Sequence, residues 1–303
     1  MKVLYLCGGP PYPAVREALR RVKASGTQWT GHTDESRPAE VGRICFIGCS
    51  EEGHEVYAAG LGGSVGITKR ALAGLKDVFS AGVRVRMIEV SAGRGVSVGP
   101  VLVALGHMLW ARLGATQAGK RLIRAGLDSA TWSPRPFEEC PHPVHAAAGN
   151  RVVVYHCYGS AHSSVVAAAI HLGRLPATRP ASVREICSLH WFDRVDTEEI
   201  GTPIYLGSDS SGTDVYVLGL GSSHSTARRT VSDFKDLLLQ ASAREAVFVD
   251  CLPLAGVLTR VGGFISKRIG VGWLGKPLAA WGIRKKYWEF VRVVCNTRIK
   301  MSG

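Results

Sequence analysis

The segment that decides the fold occurs twice in this chain. Residues 46–77, FIGCSEEGHEVYAAGLGGSVGITKRALAGLKD, align without a gap on residues 205–236, YLGSDSSGTDVYVLGLGSSHSTARRTVSDFKD, and 11 of the 32 positions are identical, four of them glycine. The runs that open each copy also match, because 3–7 (VLYLC) parallels 153–157 (VVYHC). A unit of this length that occurs twice is a domain duplication and not a short-period solenoid, so we expect each copy to bury its own core.

The duplication predicts three regions. Residues 1–127 form a first copy and residues 151–303 a second copy. Between them, residues 128–150 are rich in proline, a composition that resists both helix formation and ladder pairing, so we interpret this stretch as a linker. We expect the two copies to pack together as a pseudo-dimer within one chain. The prolines of the predicted linker are Pro134, Pro136, Pro141 and Pro143.

Hydrophobic patterns predict an α/β fold. In the second copy they indicate, in order, a buried strand (151–157), an Ala-rich helix (163–172) with Gly173 at its end, a β-hairpin (204–206 with 215–218), a helix with Val231, Phe234, Leu237 and Leu238 on one face, a strand (246–251) and helical segments near 254–269 and 277–294. Alternating strands and helices favour two similar domains, each a mainly parallel sheet with a β-hairpin and helices on its faces.

The composition predicts a folded cytoplasmic protein with no membrane span. The chain has 303 residues, 46% apolar and 20% charged, which supports a sizeable core and excludes disorder. Its longest apolar stretch, 98–109, is interrupted by Pro100 and Gly106 and is shorter than the ~20 residues that cross a bilayer. Eight cysteines without a Cys-x-x-Cys pair indicate reduced thiols, and the apolar run after Lys2 is too short for a signal peptide.

The most distinctive local pattern lies where the strand 151–157 passes into the next helix, in the sequence YHCYGSAHSSV of residues 155–165. Backbone N–H groups and the positive end of a helix dipole point at one place in such a junction, which suits a phosphate group. Glycine lets the backbone approach, the serines are donors, and the histidine can supply a proton. A plain helix cap and turn would use the same residues. The candidate catalytic residues are His162 and Cys157, and the candidate ligand-binding residues are Gly159, Ser160, Ser163, Ser164 and Asp250.

Two known phosphate motifs fit this loop only in part. A Walker A loop that ends at Ser164 would need glycine at Cys157 and His162 and lysine at Ser163. A cysteine phosphatase loop would use Cys157 as the nucleophile, but serine 163 stands where its arginine is required. A thiol near a helix N-terminus can be reactive, so thiol-dependent chemistry at Cys157 stays open. Asp250 ends an apolar strand, as a Walker B aspartate does, and could share a metal ion with Ser164.

The histidines of this region predict no metal site of their own. His156, Cys157, His162, His171 and His190 crowd one stretch, but neighbouring residues on a strand point to opposite faces, so His156 and Cys157 do not share a metal. The corresponding loop of the first copy, 7–13 (CGGPPYP), has no histidine or serine, and its prolines remove backbone donors. We therefore expect the first copy to be degenerate as a site.

Positive charge is concentrated near the C-terminus. The chain carries a net charge of +13, and residues 260–303 hold ten basic side chains against the single acid Glu289. Ile283, Tyr287, Phe290 and Val294 recur at helical spacing and should face the core. Tryptophans between the charges could stack on bases or lie at a lipid surface, whereas a plain solvated face is the alternative. The basic residues and tryptophans are Arg260, Lys267, Arg268, Trp273, Lys276, Trp281, Arg284, Lys285, Lys286, Trp288, Arg292, Arg298 and Lys300.

Three stretches of the second copy resemble a known family. The sequences 154–165 (VYHCYGSAHSSV), 167–173 (AAAIHLG) and 214–219 (DVYVLG) are similar to those of the bacterial family catalogued as domain of unknown function 3189. The resemblance spans most of residues 151–294, and the first copy departs from it at its loop. It implies a short bacterial domain, found mainly in Gram-positive spore-forming lineages, and it supplies no activity, cofactor or mechanism.

The residues thus support three functional hypotheses. The first is a protein that binds a phosphate-bearing small molecule or a nucleotide at the second copy's strand–loop–helix junction, with Arg228 or Arg229 as a source of positive charge. The second is a non-enzymatic interaction protein whose basic C-terminal face meets nucleic acid or an acidic partner. The third is thiol-dependent chemistry at Cys157. The sequence leaves open whether the protein is an enzyme.

Overall fold

A computed structural model of the chain describes residues 1–23, 40–63, 65–79, 84–92, 98–113, 117–137, 144–222, 224–240 and 244–302. The strands are β1 (Lys2–Cys7), β2 (Cys45–Cys49), β3 (Glu55–Gly60), β4 (Val85–Ala92), β5 (Trp132–Pro136), β6 (Arg151–Cys157), β7 (Ile204–Ser208), β8 (Thr213–Gly219) and β9 (Glu245–Asp250). The helices are α1 (Tyr12–Lys23), α2 (Val65–Val78), α3 (Gly99–Leu113), α4 (Gln117–Asp128), α5 (Ser163–His171), α6 (Val183–Ser188), α7 (His224–Leu239), α8 (Val257–Lys267), α9 (Gly272–Lys285) and α10 (Tyr287–Ser302). Pro141 and Pro143 of the predicted linker, and the repeated Ser64 and Ser223, lie outside the described residues.

The two sheets share the order of four corresponding strands, and β5 adds a fifth strand to the first sheet. The first sheet runs β2-β3-β1-β4-β5 and the second β7-β8-β6-β9. In both, the opening strand pairs in parallel with two neighbours, and an antiparallel hairpin closes one side. The prediction of two similar α/β domains, each with a mainly parallel sheet, a β-hairpin and helices, is confirmed.

The two hairpins share an irregularity at the same repeated residue. The register between β2 and β3 shifts between Phe46 and Gly48, and that between β7 and β8 shifts between Tyr205 and Gly207. Both glycines have positive φ, 153° and 138°, which residues with a side chain rarely adopt. A bulge kept at equivalent positions is the structural counterpart of the duplication seen in the sequence.

The proline-rich stretch contributes a strand that its composition did not predict. β5 pairs antiparallel with β4, placing Pro134 opposite Val90 and Pro136 opposite Ile88. The expectation that this stretch resists ladder pairing is therefore wrong for residues 132–136. The pairing is possible because β5 is the last strand of its sheet, where a proline that lacks an N–H group need not donate to a further strand.

Each repeat has a hydrophobic cluster of its own, as the duplication predicts. In the second repeat Tyr155 and Val217 of the sheet pack with Ile170 of α5 and Phe290 of α10. In the first repeat the cluster joins β1, β3 and α1 through residues such as Ala18.

The compact units of the chain do not coincide with the repeats. One unit consists of Met1–Thr68, Gly82–Glu139 and Ser225–Leu238, and the other of Lys69–Ala81, Cys140–His224 and Leu239–Gly303. Most of α7 therefore belongs to the first unit, and most of α2 to the second. Within the second unit Arg70 of α2 donates to the carbonyl oxygen of Ile200 at 2.9 and 2.7 Å.

The C-terminal part of the second unit is helical. The predicted segment 277–294 is divided between two helices, α9 and α10, with Lys286 between them. Ile283, Tyr287, Phe290 and Val294 are buried, as their spacing predicts. Among the described residues no helix is both long and apolar enough to cross a membrane.

Candidate functional site

The site is built at the carboxyl ends of the parallel strands of the second sheet. β6 ends at Cys157, and the β6–α5 loop, residues 158–162, leads into α5. The loop crosses the end of β8 closely, because a Cβ placed on Gly219 would lie 3.0 Å from Ile200, 3.1 Å from Ser160 Oγ and 3.2 Å from the Gly159 carbonyl carbon. Glycine at residue 219 is what lets the loop occupy this position.

The N-terminus of α5 has backbone donors that the described part of the chain does not satisfy. His162 is its N-cap residue, and the His162 side chain makes no capping hydrogen bond. For the N–H groups of residues 159–165, no acceptor among the described residues lies within hydrogen-bonding distance. Ser163 and Ser164 are 2% and 0% exposed, so the first turn of α5 is largely shielded from bulk water. A buried helix end without capping partners is the arrangement that an anion completes.

Ser160 adds a strained backbone and a buried hydroxyl to the loop. Its φ is +54°, in the left-handed region that residues with a side chain rarely adopt. The residue is 1% exposed, and its Oγ is buried without a hydrogen-bond partner among the described residues. Both features are costly unless they serve a purpose, and such strain concentrates at ligand sites.

His162 is held by an acidic residue from a neighbouring segment. Its Nε2 lies 3.1 Å from Asp193 Oδ1, and Ser266 of α8 donates to the other carboxylate oxygen. Burial raises the pKa of Asp193, but the hydrogen bonds from His162 and Ser266 outweigh it and the pKa falls below its usual range. The carboxylate of Asp193 therefore holds the His162 imidazole in one orientation at the N-terminus of α5.

Cys157 lies in the hydrophobic cluster rather than at the surface. It is 3% exposed, and its Sγ is 3.1 Å from Ser164 Oγ. A buried thiol that packs with apolar side chains is usually inert. The contact gives Cys157 and Ser164 a structural use, because it ties the end of β6 to the first turn of α5.

Asp250 lies near two histidines. The parallel register of β6 and β9 pairs it with His156. His156 Nδ1 is 3.8 Å and His224 Nε2 is 3.4 Å from Asp250 Oδ1. Because side chains alternate along a strand, His156 lies on the opposite face of β6 from Cys157, whose partner is Ser164. The sharing of one ion by Asp250 and Ser164 stays a prediction, and Ser164 Oγ is engaged with Cys157 on the other face of β6.

The first repeat lacks both the polar side chains of the β6–α5 loop and the two histidines near Asp250. Its thiol, Cys7, lies 3.2 Å from the carbonyl oxygen of Pro10, and burial raises its pKa to about 12. At the positions that correspond to His156 and His224 stand Leu6 and Val65, the first residue of α2. Only Glu89, opposite Leu6, keeps a carboxylate.

A buried polar network lies behind α5. His171, 1% exposed, is bonded to Tyr155 Oη at 2.7 Å and to Asp209 Oδ2 at 3.1 Å. Burial lowers the pKa of His171 and raises that of Tyr155. Burial also acts to raise the pKa of Asp209, but hydrogen bonds from Ser211, Thr213 and His171 hold it at about 2. The network fixes the end of α5 against the β7–β8 turn.

Comparison with protein families identifies both repeats. A family model described as "Protein of unknown function (DUF3189)" matches residues 29–133 and 152–299. The chain belongs to the DUF3189 family. The first match begins after β1 and the loop that follows it, whereas the second contains the β6–α5 loop together with His156, His224 and Asp250. No curated protein and no solved structure matches the chain.

Sequence reasoning about this DUF3189 protein located the loop but missed one neighbour of Asp250. His162, Gly159, Ser160, Ser163 and Ser164 lie in one loop and helix turn, where the sequence put them. His224 had no local pattern to mark it. It could have been found from its place at the start of the helix that follows a parallel strand, β8, because the carboxyl ends of such strands share one edge of the sheet. Of the two candidate arginines, Arg229 is paired with Glu40 in the first unit.

Proposed function

We propose that the second repeat binds a phosphate-bearing small molecule or a nucleotide at the β6–α5 loop. The observation that carries the proposal is that the N–H groups of residues 159–165, most of which belong to buried residues, make no hydrogen bond to another described residue. A phosphate oxygen accepts such hydrogen bonds and gains from the dipole of α5. His162, oriented by Asp193, supplies a further donor to the same anion, and Ser163 adds a hydroxyl group.

Isothermal titration calorimetry with inorganic phosphate, AMP, ADP and ATP tests the proposal. We expect binding of at least one of these probes, with an affinity loss of roughly tenfold or more for the double variant His162→Ala, Ser163→Ala, since a hydrogen bond to a charged group contributes about 1.5–3 kcal/mol. His190→Ala is the matched control, because His190 is an exposed histidine of the same unit. Absence of binding in the wild type, or equal binding by the double variant, would refute the proposal.

The thiol hypothesis has less support from the geometry. Cys157 is 3% exposed, whereas Cys49 and Cys295 are exposed. Maleimide labelling followed by mass spectrometry compares them directly. If Cys157 is labelled faster than Cys49 and Cys295, it is a reactive thiol, and thiol chemistry is favoured. If it is labelled more slowly, its role is the structural contact with Ser164.

A second candidate function, binding of a polyanion, is favoured by the surface of the α8–α9 hairpin. Aromatic side chains there face solvent, with Phe264 58% and Trp273 81% exposed. Three exposed basic residues lie on α8 or at its end. They are Arg260, Lys267 and Arg268. Cations beside exposed aromatic rings are the combination that binds single-stranded nucleic acid.

The salt dependence of binding tests this second function. We expect affinity for a single-stranded oligonucleotide to fall steeply with ionic strength and to be lost when Arg260, Lys267 and Arg268 are replaced by glutamine. Replacement of Arg112, Arg121 and Arg124 removes the same charge from the first unit and serves as the control. If both triple variants lose the same affinity for the oligonucleotide, net charge alone explains the binding, and the proposal of a specific binding face near the C-terminus is contradicted.

A further inference from the structure

A second group of side chains at the same sheet edge is unused by the proposed phosphate site. We call His156, His224 and Asp250 the His–His–Asp cluster. His156 is near the end of β6, Asp250 ends β9 and His224 begins α7, directly after the strand that pairs with β6 on its other side. Three separate segments thus deliver one side chain each to one place.

The distances within the cluster suit a metal ion better than direct hydrogen bonds. Asp250 Oδ1 lies 3.8 Å from His156 Nδ1 and 3.4 Å from His224 Nε2, and one ligand atom from each residue lies within 4.8 Å of the others. Good N–H···O bonds span about 2.7–3.2 Å. Two ligands bound tetrahedrally at about 2.0–2.1 Å from one ion stand about 3.4 Å apart, which is close to the spacing found here.

The burial of the cluster suits an ion that is held firmly and still exchanges with solvent. The side chains of His156 and His224 are 4% and 10% exposed, and that of Asp250 is 28% exposed. The amide of Leu252 donates to Asp250 Oδ1 at 2.9 Å and fixes the carboxylate, leaving that oxygen a second lone pair. The buried imidazoles therefore provide a rigid wall, and Asp250 provides the entry side.

We propose that the His–His–Asp cluster binds one divalent transition-metal ion of the zinc type. Two imidazole nitrogens and one carboxylate oxygen are a donor set that prefers Zn²⁺, Co²⁺ or Ni²⁺ to Mg²⁺ and Ca²⁺. Three protein ligands leave a fourth position for water or an anionic oxygen, as in catalytic rather than structural zinc sites. The inference goes beyond the proposed phosphate site, which needs no metal.

The duplication sharpens the expected stoichiometry. The corresponding residues of the first repeat are Leu6, Val65 and Glu89, so that repeat offers one ligand where the second offers three. The full chain should bind one ion at this affinity, and not two.

The test is metal binding by the full-length, tag-free chain after dialysis against a chelator. We expect calorimetry with Zn²⁺ to give one site per chain, Co²⁺ to show the strong visible absorption of a tetrahedral or five-coordinate complex, and Mg²⁺ to bind far more weakly. His224→Gln and Asp250→Asn should each lower Zn²⁺ affinity by roughly 100-fold or more, since outer-shell changes alone cost 10–100-fold.

Two controls make the outcome decisive. Glu89→Gln alters the equivalent carboxylate of the first repeat, and His190→Ala removes an exposed histidine; both should bind Zn²⁺ as the wild type does. Circular dichroism of each variant without metal shows whether it is folded, and Zn²⁺ should raise the unfolding temperature of the wild type but not of folded His224→Gln. Absence of a one-to-one site, or unchanged affinity in both cluster variants, would overturn the inference, whatever the result for phosphate.

Discussion

At the scale of single residues, Asp209 shows how a carboxylate can organise the surroundings of the site. It accepts hydrogen bonds from the amides of Ser211 and Thr213, both at 2.9 Å, and pairs with His171. Because these donors favour the charged form, the pKa of Asp209 is about 2. Local patterns mark the turn that contains it, but not the contact with His171, which lies 38 residues away.

We therefore predict that Asp209→Asn destabilises the protein in a pH-dependent manner. A folded pKa of about 2, below an unfolded value of about 4, contributes up to about 2 kcal/mol at pH 7. That stability is present above the unfolded pKa and is lost as the pH falls from about 4 towards 2. Urea unfolding of wild type and variant at pH 7 and at low pH measures it. Asp236→Asn, at an exposed aspartate, is the control; an equal difference at both pH values would contradict the assignment.

At the scale of elements, the strand–loop–helix junction could be predicted from the sequence. The residues from other segments that pack against this junction could not. The continuous apolar run of β6, the small residues of the loop and the Ala-rich α5 are local patterns, and the structure has all three. Asp193 and the α8 residue Ser266 come from distant segments, and no periodicity announces that they meet His162. The loop's fit over β8 likewise depends on a glycine whose importance only the packing reveals.

Gly219→Ala should disturb this junction. A Cβ at residue 219 would meet a side chain, a hydroxyl and a backbone carbon at 3.0–3.2 Å, so we expect a loss of about 1–3 kcal/mol and weaker phosphate binding. Gly272→Ala is the matched control, because its nearest neighbour, Ser266 Oγ, would lie at an ordinary 3.6 Å and alanine favours a helix. Chemical denaturation and calorimetry give both quantities. Equal effects of the two substitutions would mean that the close approach at Gly219 is unimportant.

At the scale of the whole molecule, repeats in sequence and compact units in space are different divisions. The second unit contains Lys69–Ala81, which belongs to the first repeat. Within that unit the amide of Ala147 donates to the carbonyl oxygen of Val78 at 3.0 Å, and Arg244 donates to the same oxygen at 3.1 Å. A domain boundary drawn only from the alignment of the repeats leaves these partners on separate fragments.

We predict that residues 151–303 alone are less stable than the same residues in the full chain. The fragment loses the hydrogen bonds of Arg70 and Val78 and the close packing of Gly74 against Pro203. Denaturation of the fragment, compared with a fragment that begins at residue 65, measures the difference. If proteolysis within 128–150 released two halves that separated freely and kept full stability, the prediction would be wrong.

The sequence by itself determined the duplication, most of the strands and helices of the second repeat, and the loop at the end of β6, because each depends on a pattern carried by neighbouring residues. Two features were decided by the tertiary structure alone. One is the His–His–Asp cluster, and the other is that most of α2 belongs to the second unit and most of α7 to the first. His156, His224 and Asp250 meet because parallel pairing brings the carboxyl ends of β6, β8 and β9 to one edge, and β-sheet register is a long-range property that no single stretch of sequence contains.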